Sequence, residues 1–219
     1  MTWQKFPISR FADFATTWDA LQRQCADLPF LESGFISPLL TEFGTGKEIL
    51  VADVEGSHWR SAAILSPGRR GAWETFQPSQ LPLGAFIGPQ RDGTADARWT
   101  DRLTGLIGAL PGVALNVGLT QLDSRFHPRP VDTATGRAMD YIETAWVDVS
   151  ESFDAYWELR GKNLKQNTRK QRNKLEADGT AVLLECITQS QEVEQAMVDY
   201  GMLESAGWKG SNGTAVAPD

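Results

Sequence analysis

The sequence is poor in the residues that most often announce a chemistry. Among 219 residues there are two cysteines and two histidines. Cys25 falls on a predicted helix and Cys186 in a predicted strand, so they form neither a metal-ligand cluster nor a disulfide framework. His58 and His127 lie too far apart to read as a metal pair, and each reads as loop surface. No serine sits in a nucleophile-elbow pattern, and no Asp/Glu pair has a spacing that singles it out for acid–base work. No stretch of about 18 apolar residues offers a membrane span. The opening MTWQKFPISRFADF has no apolar run behind its charges and does not read as a signal peptide. The default compartment is the cytoplasm. Basic residues are also in deficit, with 21 Lys and Arg against 28 Asp and Glu and a net charge of -7. That balance argues against a dedicated nucleic-acid binder, whose whole domain is usually basic.

What is present is an ordinary globular composition, 41% hydrophobic with 8 Trp, enough for one large domain or two small ones. Phe11, Phe14, Trp18, Leu21, Cys25 and Leu28 recur at helical spacing and predict a first amphipathic helix closed by Pro29. Ser37-Pro38 predicts the start of a short helix that ends at Gly44. Three strand-like runs follow, from Glu48 to Val54, Trp59 to Leu65 and Ala72 to Phe76, separated by turn residues. Gly84 to Gly88 reads as a short buried strand, Ala95 to Leu110 as a helix and Val113 to Leu119 as a central strand. Met139 to Val149 reads as a long strand, Ala181 to Ile187 as another, and Ser190 to Ser205 as a helix. A glycine-rich loop is expected from Gly207 to Thr214. The fold class is therefore α/β, a mixed and largely antiparallel sheet flanked by helices.

The strongest local signal lies between Ser150 and Gly179. Ser150 or Ser152 is the expected N-cap, and Gly161 is expected to divide the segment into two helices. From Arg160 to Lys174 there are seven basic residues and no acid. At about 100° per residue, Phe153, Trp157, Leu164, Thr168 and Leu175 share one stripe, the expected core side. Lys162, Lys165, Arg169 and Arg172 lie roughly opposite. Such a face is either solvated surface or a site for phosphate, carboxylate or another anion, since clustered like charges repel. Composition does not choose between them.

Two further patterns carry a resemblance. Gln90-Arg91-Asp92-Gly93-Thr94-Ala95, between a predicted strand and a predicted helix, resembles the coenzyme A loop of the GNAT acyltransferases. There, N–H groups of a glycine turn at a helix N-terminus converge on pyrophosphate oxygens. KNLKQNTRKQRNKLEADGTAVLLE (residues 162 to 185) and QEVEQAMVDYGMLESAGWKGSNGTA (residues 191 to 215) are similar to the second-domain entry of GNAT-like acyltransferases of the CelD, cellulose-biosynthesis type. They resemble the Fem aminoacyltransferases more distantly. PFLESGFISPLL (residues 29 to 40) resembles the start of the CelD-type first domain.

The resemblance implies a GNAT-like domain over residues 1–149 and the opening of a second over 150–219, whose remaining strands would lie outside this chain. It implies acyl-coenzyme A or acetyl-coenzyme A as co-substrate, no metal, and a small-molecule or polysaccharide-precursor acceptor with an amine or hydroxyl. Gln90, Gly93, Thr94 and Ala95 are then the candidate cofactor residues. Lys162, Lys165, Arg169 and Arg172 are candidates for an anionic ligand or acceptor, and Glu204 is the candidate catalytic carboxylate beside the acceptor site. The competing expectation is a non-catalytic module that binds nucleic acid or an acidic partner through the basic helix.

Overall fold

The computed structural model describes residues 2–88, 99–127, 129–213 and 215–216. The chain divides into two compact units, Met1–Thr144 and Ala145–Asp219.

The first unit is built on a six-stranded, mostly antiparallel sheet. Strand β1 (Thr2–Pro7) is followed by a 3-10 segment, Ile8–Phe14, and then by helices α1 (Ala15–Cys25) and α2 (Ser33–Phe43). Strands β2 (Ile49–Glu55), β3 (His58–Pro67), β4 (Ala72–Thr75) and β5 (Phe86–Ile87) come next. Helix α3 (Trp99–Ala109) and strand β6 (Asn116–Gly118) complete the unit. The sheet order is β1-β2-β3-β4-β6, with β5 paired to β3. Only β4 and β6 run parallel.

Alternation along the strands divides the core between two faces. Leu50, Ala52, Ala62 and Ile64 point to α1 and α2, where Trp18, Leu31 and Ile36 are fully or almost fully buried. Val51, Ala63 and Leu65 point the other way and pack with Leu106 and Leu110 of and beyond α3. Each Leu, Ile or Val among them contributes about 1.5–3 kcal/mol through burial, and each Ala less. On the α1–α2 side the sealed polar groups named next are paired. Trp18 Nε1 donates to the Leu31 carbonyl at 2.7 Å, and the Gln22 amide both donates to and accepts from the Leu28 backbone. Asp19 of α1 accepts from the Ser33 amide and hydroxyl, both at 2.7 Å, and so caps α2 from the neighbouring helix.

Two irregularities interrupt the ladders of the sheet. The β2–β3 register slips after Asp53, which faces Ser61, because Val54 faces Trp59 and Arg60 is left over. This bulge turns Trp59 onto the α1 side, where it joins Phe6 and Phe14. The outer edge of β3 is also shared. Ile64 accepts from Phe76, which continues β4, and donates to Ala85, which leads into β5. Strands β4 and β5 part there, joined by the bond from Ala85 N to Phe76 O at 3.0 Å.

The second unit consists of α4 (Phe153–Glu158), α5 (Lys162–Ala177), α6 (Ser190–Ser205) and the short α7 (Trp208–Ser211). Ser152 Oγ caps α4 by accepting from Ala155 N, and Gly161 stands as the N-cap of α5, so the division at Gly161 is as expected. Gly179, at φ +66°, follows the end of α5 in the left-handed conformation that favours glycine.

Several sequence expectations are corrected. Neither residues 139–149 nor 181–187 form a strand among the described residues. Their apolar side chains stand open, Met139 at 90% and Leu184 at 95% exposure. A strand needs a neighbour to bond its backbone, and no described strand pairs with either segment. The expected core stripe on α5 is not buried, since Leu164 is half exposed and Gly201 of α6 is the only buried described residue of the second unit. Val113 to Leu119 yields only the three-residue β6, at a sheet edge and not the centre, with Val113 and Leu115 exposed. Helix α2 starts at Ser33, not Ser37, and carries Pro38 within it. The expected glycine-rich loop contains α7.

Candidate functional site

The loop expected to meet coenzyme A, with Gln90, Gly93, Thr94 and Ala95, lies outside the described residues. Its flanks are β5 on one side and α3 on the other. Among the described residues a row of side chains crosses the sheet on the α3 face. Trp3 of β1 pairs with Asp53 of β2, and Asp53 with Ser61 of β3. Asp53 is 1% exposed, and among the described residues neither its carboxylate oxygens nor Ser61 Oγ has a hydrogen-bond partner. An unmet buried polar group costs about 1–3 kcal/mol.

Gly88, just after β5, explains the position of His127. A Cβ at Gly88 would lie 2.7 Å from the imidazole, so only glycine leaves room for the ring. The ring also packs on Phe86, centroids 5.2 Å apart. Burial lowers the His127 pKa to about 4, although Asp123 nearby acts in the opposite direction. His127 is therefore neutral near pH 7 and half-buried, not the loop-surface residue expected. His58 is exposed as expected.

On the other side of the sheet, where β3, β4 and the end of α2 converge, lies a groove of about 310 Å³. Glu48 and Glu74 line it with Ser66, Phe43, Phe76 and Thr120. Glu74 pairs with Ser66 across the β3–β4 ladder. Glu48 is buried, which pushes its pKa up, but bonds from the Thr45 amide and hydroxyl outweigh burial and hold it below the ordinary value. Beside them Thr75 Oγ1 accepts from Thr120 N at 3.0 Å and meets Thr120 Oγ1 at 2.6 Å. A Cβ at Gly84 would collide with Thr75 Oγ1 and the Thr120 carbonyl, so this pairing also depends on glycine. Sequence reasoning missed the groove because Glu48 and Glu74 come to line it only through strand pairing.

In the second unit, the four cationic residues share α5 but not one state. Lys165 Nζ donates to the carbonyl and carboxylate of Glu158, at 3.0 and 3.2 Å. Lys162, Arg169 and Arg172 are exposed, and among the described residues no hydrogen bond or ion pair engages them. Arg160 stacks over Tyr156 instead, 4.2 Å from the ring centroid.

Glu204, near the end of α6, is held from three directions. Lys209 of α7 donates to Oε1, Tyr200 OH donates to Oε1 at 2.8 Å, and Val216 N donates to Oε2 at 2.8 Å. The Lys209 bond, then those from Val216 and Tyr200, hold its pKa down to about 2. A carboxylate so held is a weak proton acceptor near neutral pH and a good clamp for the segment after α6. Among the described residues no cluster of three or more His, Cys, Asp or Glu is placed to hold a metal, and no helix is long and apolar enough to cross a membrane.

Comparison of the chain with protein-family models, with curated proteins and with solved structures finds no match.

Proposed function

We propose that the protein is an acyl-coenzyme A dependent acyltransferase of GNAT-like fold, acting on an amine or hydroxyl acceptor in cell-envelope or polysaccharide chemistry, with the cytoplasm as its compartment. The observation that carries this reading is the order of β5, the Gln90-to-Ala95 segment and α3 within a mixed, mostly antiparallel sheet. In the coenzyme A loop that this segment resembles, N–H donors and the positive end of a helix dipole together suit a pyrophosphate. In the transfer, the acceptor nitrogen or oxygen bonds to the thioester carbon as the C–S bond breaks. The acceptor's proton leaves, and the coenzyme departs as its thiol. The test is coenzyme A binding by calorimetry to the parent and to Gly93→Val. Binding by the parent, lost in the variant with an unchanged unfolding temperature, is expected, because a β-branched side chain blocks backbone approach. Equal binding by both proteins, or none by either, overturns the reading.

A second reading has its own support. The open cations Lys162, Arg169 and Arg172 suit a module that binds nucleic acid or an acidic partner. Affinity for single-stranded RNA that falls steeply with salt, by roughly 0.7 log units per log unit of salt for each phosphate engaged, would favour it. Salt-independent or absent RNA binding would remove the nucleic-acid form of it.

A further inference from the structure

The groove beside β4 has a chemistry distinct from that of the coenzyme loop and from that of the basic helix. Two carboxylates line it, from Glu48 and Glu74, and no Lys, Arg or His is among its described lining residues. The C-terminal end of α2 lies at its rim, since the helix ends at Phe43 and Phe43 is a lining residue. The last turn of a helix presents unpaired carbonyls and the negative end of the dipole, so this rim also favours positive charge. Phe43 is 47% exposed, and Phe76 lines the groove with it. Aromatic faces attract an ammonium group within about 6 Å. Carboxylates, helix end and aromatic rings therefore select the same sign of ligand.

The remaining polar groups add a second requirement. Thr75 Oγ1 accepts the Thr120 amide and shares a hydrogen with Thr120 Oγ1, while Ser66 Oγ stands beside Glu74 on the ladder. The half-buried Ser66 and Thr120 hydroxyls both donate and accept, which suits ligand hydroxyls better than an aliphatic chain, while the buried Thr75 only braces Thr120. The volume, about 310 Å³, lies at the small end of the range for small-molecule sites.

We infer that this groove binds a small primary amine carrying hydroxyl groups, of the amino-sugar class, with its ammonium on the exposed carboxylate of Glu74 and against Phe43, while the buried charge of Glu48 adds to the field. The inference does not depend on acyl transfer, because binding is read without coenzyme. Glucosamine is the probe, and glucose is its neutral counterpart of nearly equal shape. In titrations of the full chain followed by amide chemical shifts, glucosamine should move the signals of Thr45, Glu74 and Thr120. Glucose should bind roughly tenfold more weakly, as expected for loss of a charge-assisted bond. Glu74→Gln, at an exposed position that the fold tolerates, should weaken glucosamine by a similar factor and leave the unfolding temperature unchanged. Phe43→Ala should weaken it less. Equal affinity for the two sugars, equal affinity of parent and Glu74→Gln, or shifts confined to other residues would each overturn the site.

Discussion

Trp18 in the first unit and Leu184 in the second are both large apolar side chains in apolar local patterns, yet Trp18 is wholly buried and Leu184 is 95% exposed. The difference lies in what surrounds them. Helix α1 lies on a sheet whose β2 and β3 present Leu50, Ala52, Ala62 and Ile64 as a continuous floor. Helices α4 to α7 have no sheet within their own unit, and among its described residues only Gly201 is buried. Amphipathic spacing makes a helix able to bury a face, and only a second layer makes it do so.

Hydrogen exchange should give the largest contrast between the units. Amides of β2 and β3, central in the sheet, should exchange slower by orders of magnitude than those of 139–149 and 181–187, which lack strand partners. Comparable protection in both sets would mean that these segments find partners in solution.

Side-chain truncation tests the same contrast energetically. Trp18→Ala should cost about 3–5 kcal/mol in urea unfolding, because it opens a cavity and removes the donor to the Leu31 carbonyl. Leu184→Ala should change stability by less than about 0.5 kcal/mol. A large loss from Leu184→Ala would show that its exposed state is not the one that folds.

A pH series sharpens the picture within the first unit. His127 is neutral down to about pH 4 in the folded chain, against an ordinary value of 6.5. Between these values the unfolded chain binds the additional proton, so stability rises with pH. The contribution is fully present above pH 6.5 and lost as pH falls to about 4, worth up to about 3 kcal/mol. His127→Gln should flatten that part of the parent's stability curve. An unchanged slope would place the imidazole in water.

The smallest effect belongs to the second unit. The Glu204 carboxylate should titrate near pH 2, read from the Val216 amide shift, and Lys209→Gln should move that midpoint up toward 4.5. Because the pKa is depressed, the clamp operates above the ordinary value and is lost as pH falls through 2. Global unfolding of the first unit should not respond. A midpoint that stays at 2 in Lys209→Gln would assign the depression to Val216 and Tyr200 alone.

The legibility of the fold followed how local its signals were. The meander of β2, β3 and β4 was readable because alternation and turn residues are local, and so was the break at Gly161. Strand β1 was not, since Trp3, Lys5 and Phe6 look like a polar lead until β2 is there to pair with them. The reverse error arose at 139–149 and 181–187, where β-branched and aromatic residues fit a strand but the partner is missing. In the groove, Glu48 was read only as the first residue of a strand and Glu74 as an interior one. Their places in one groove depend on the β2–β3 and β3–β4 pairings, which no window of sequence contains. The cationic face of α5 was legible as charge, whereas the tie between Lys165 and Glu158 spans a helix break.

The leftover residue in the β2–β3 ladder also sets where the sequence can change length. Removing one residue from a strand normally turns every side chain beyond it to the opposite face. Arg60 is the exception, because Trp59 already faces Val54 and Ser61 already faces Asp53, on opposite sides of the sheet. A chain without Arg60 keeps both pairings and forfeits chiefly a surface ion pair with Glu55. A chain without Ala62, two positions on, loses this concordance and drives Ser61 toward α1. A one-codon gap in a related sequence is therefore expected at Arg60 and not at Ala62.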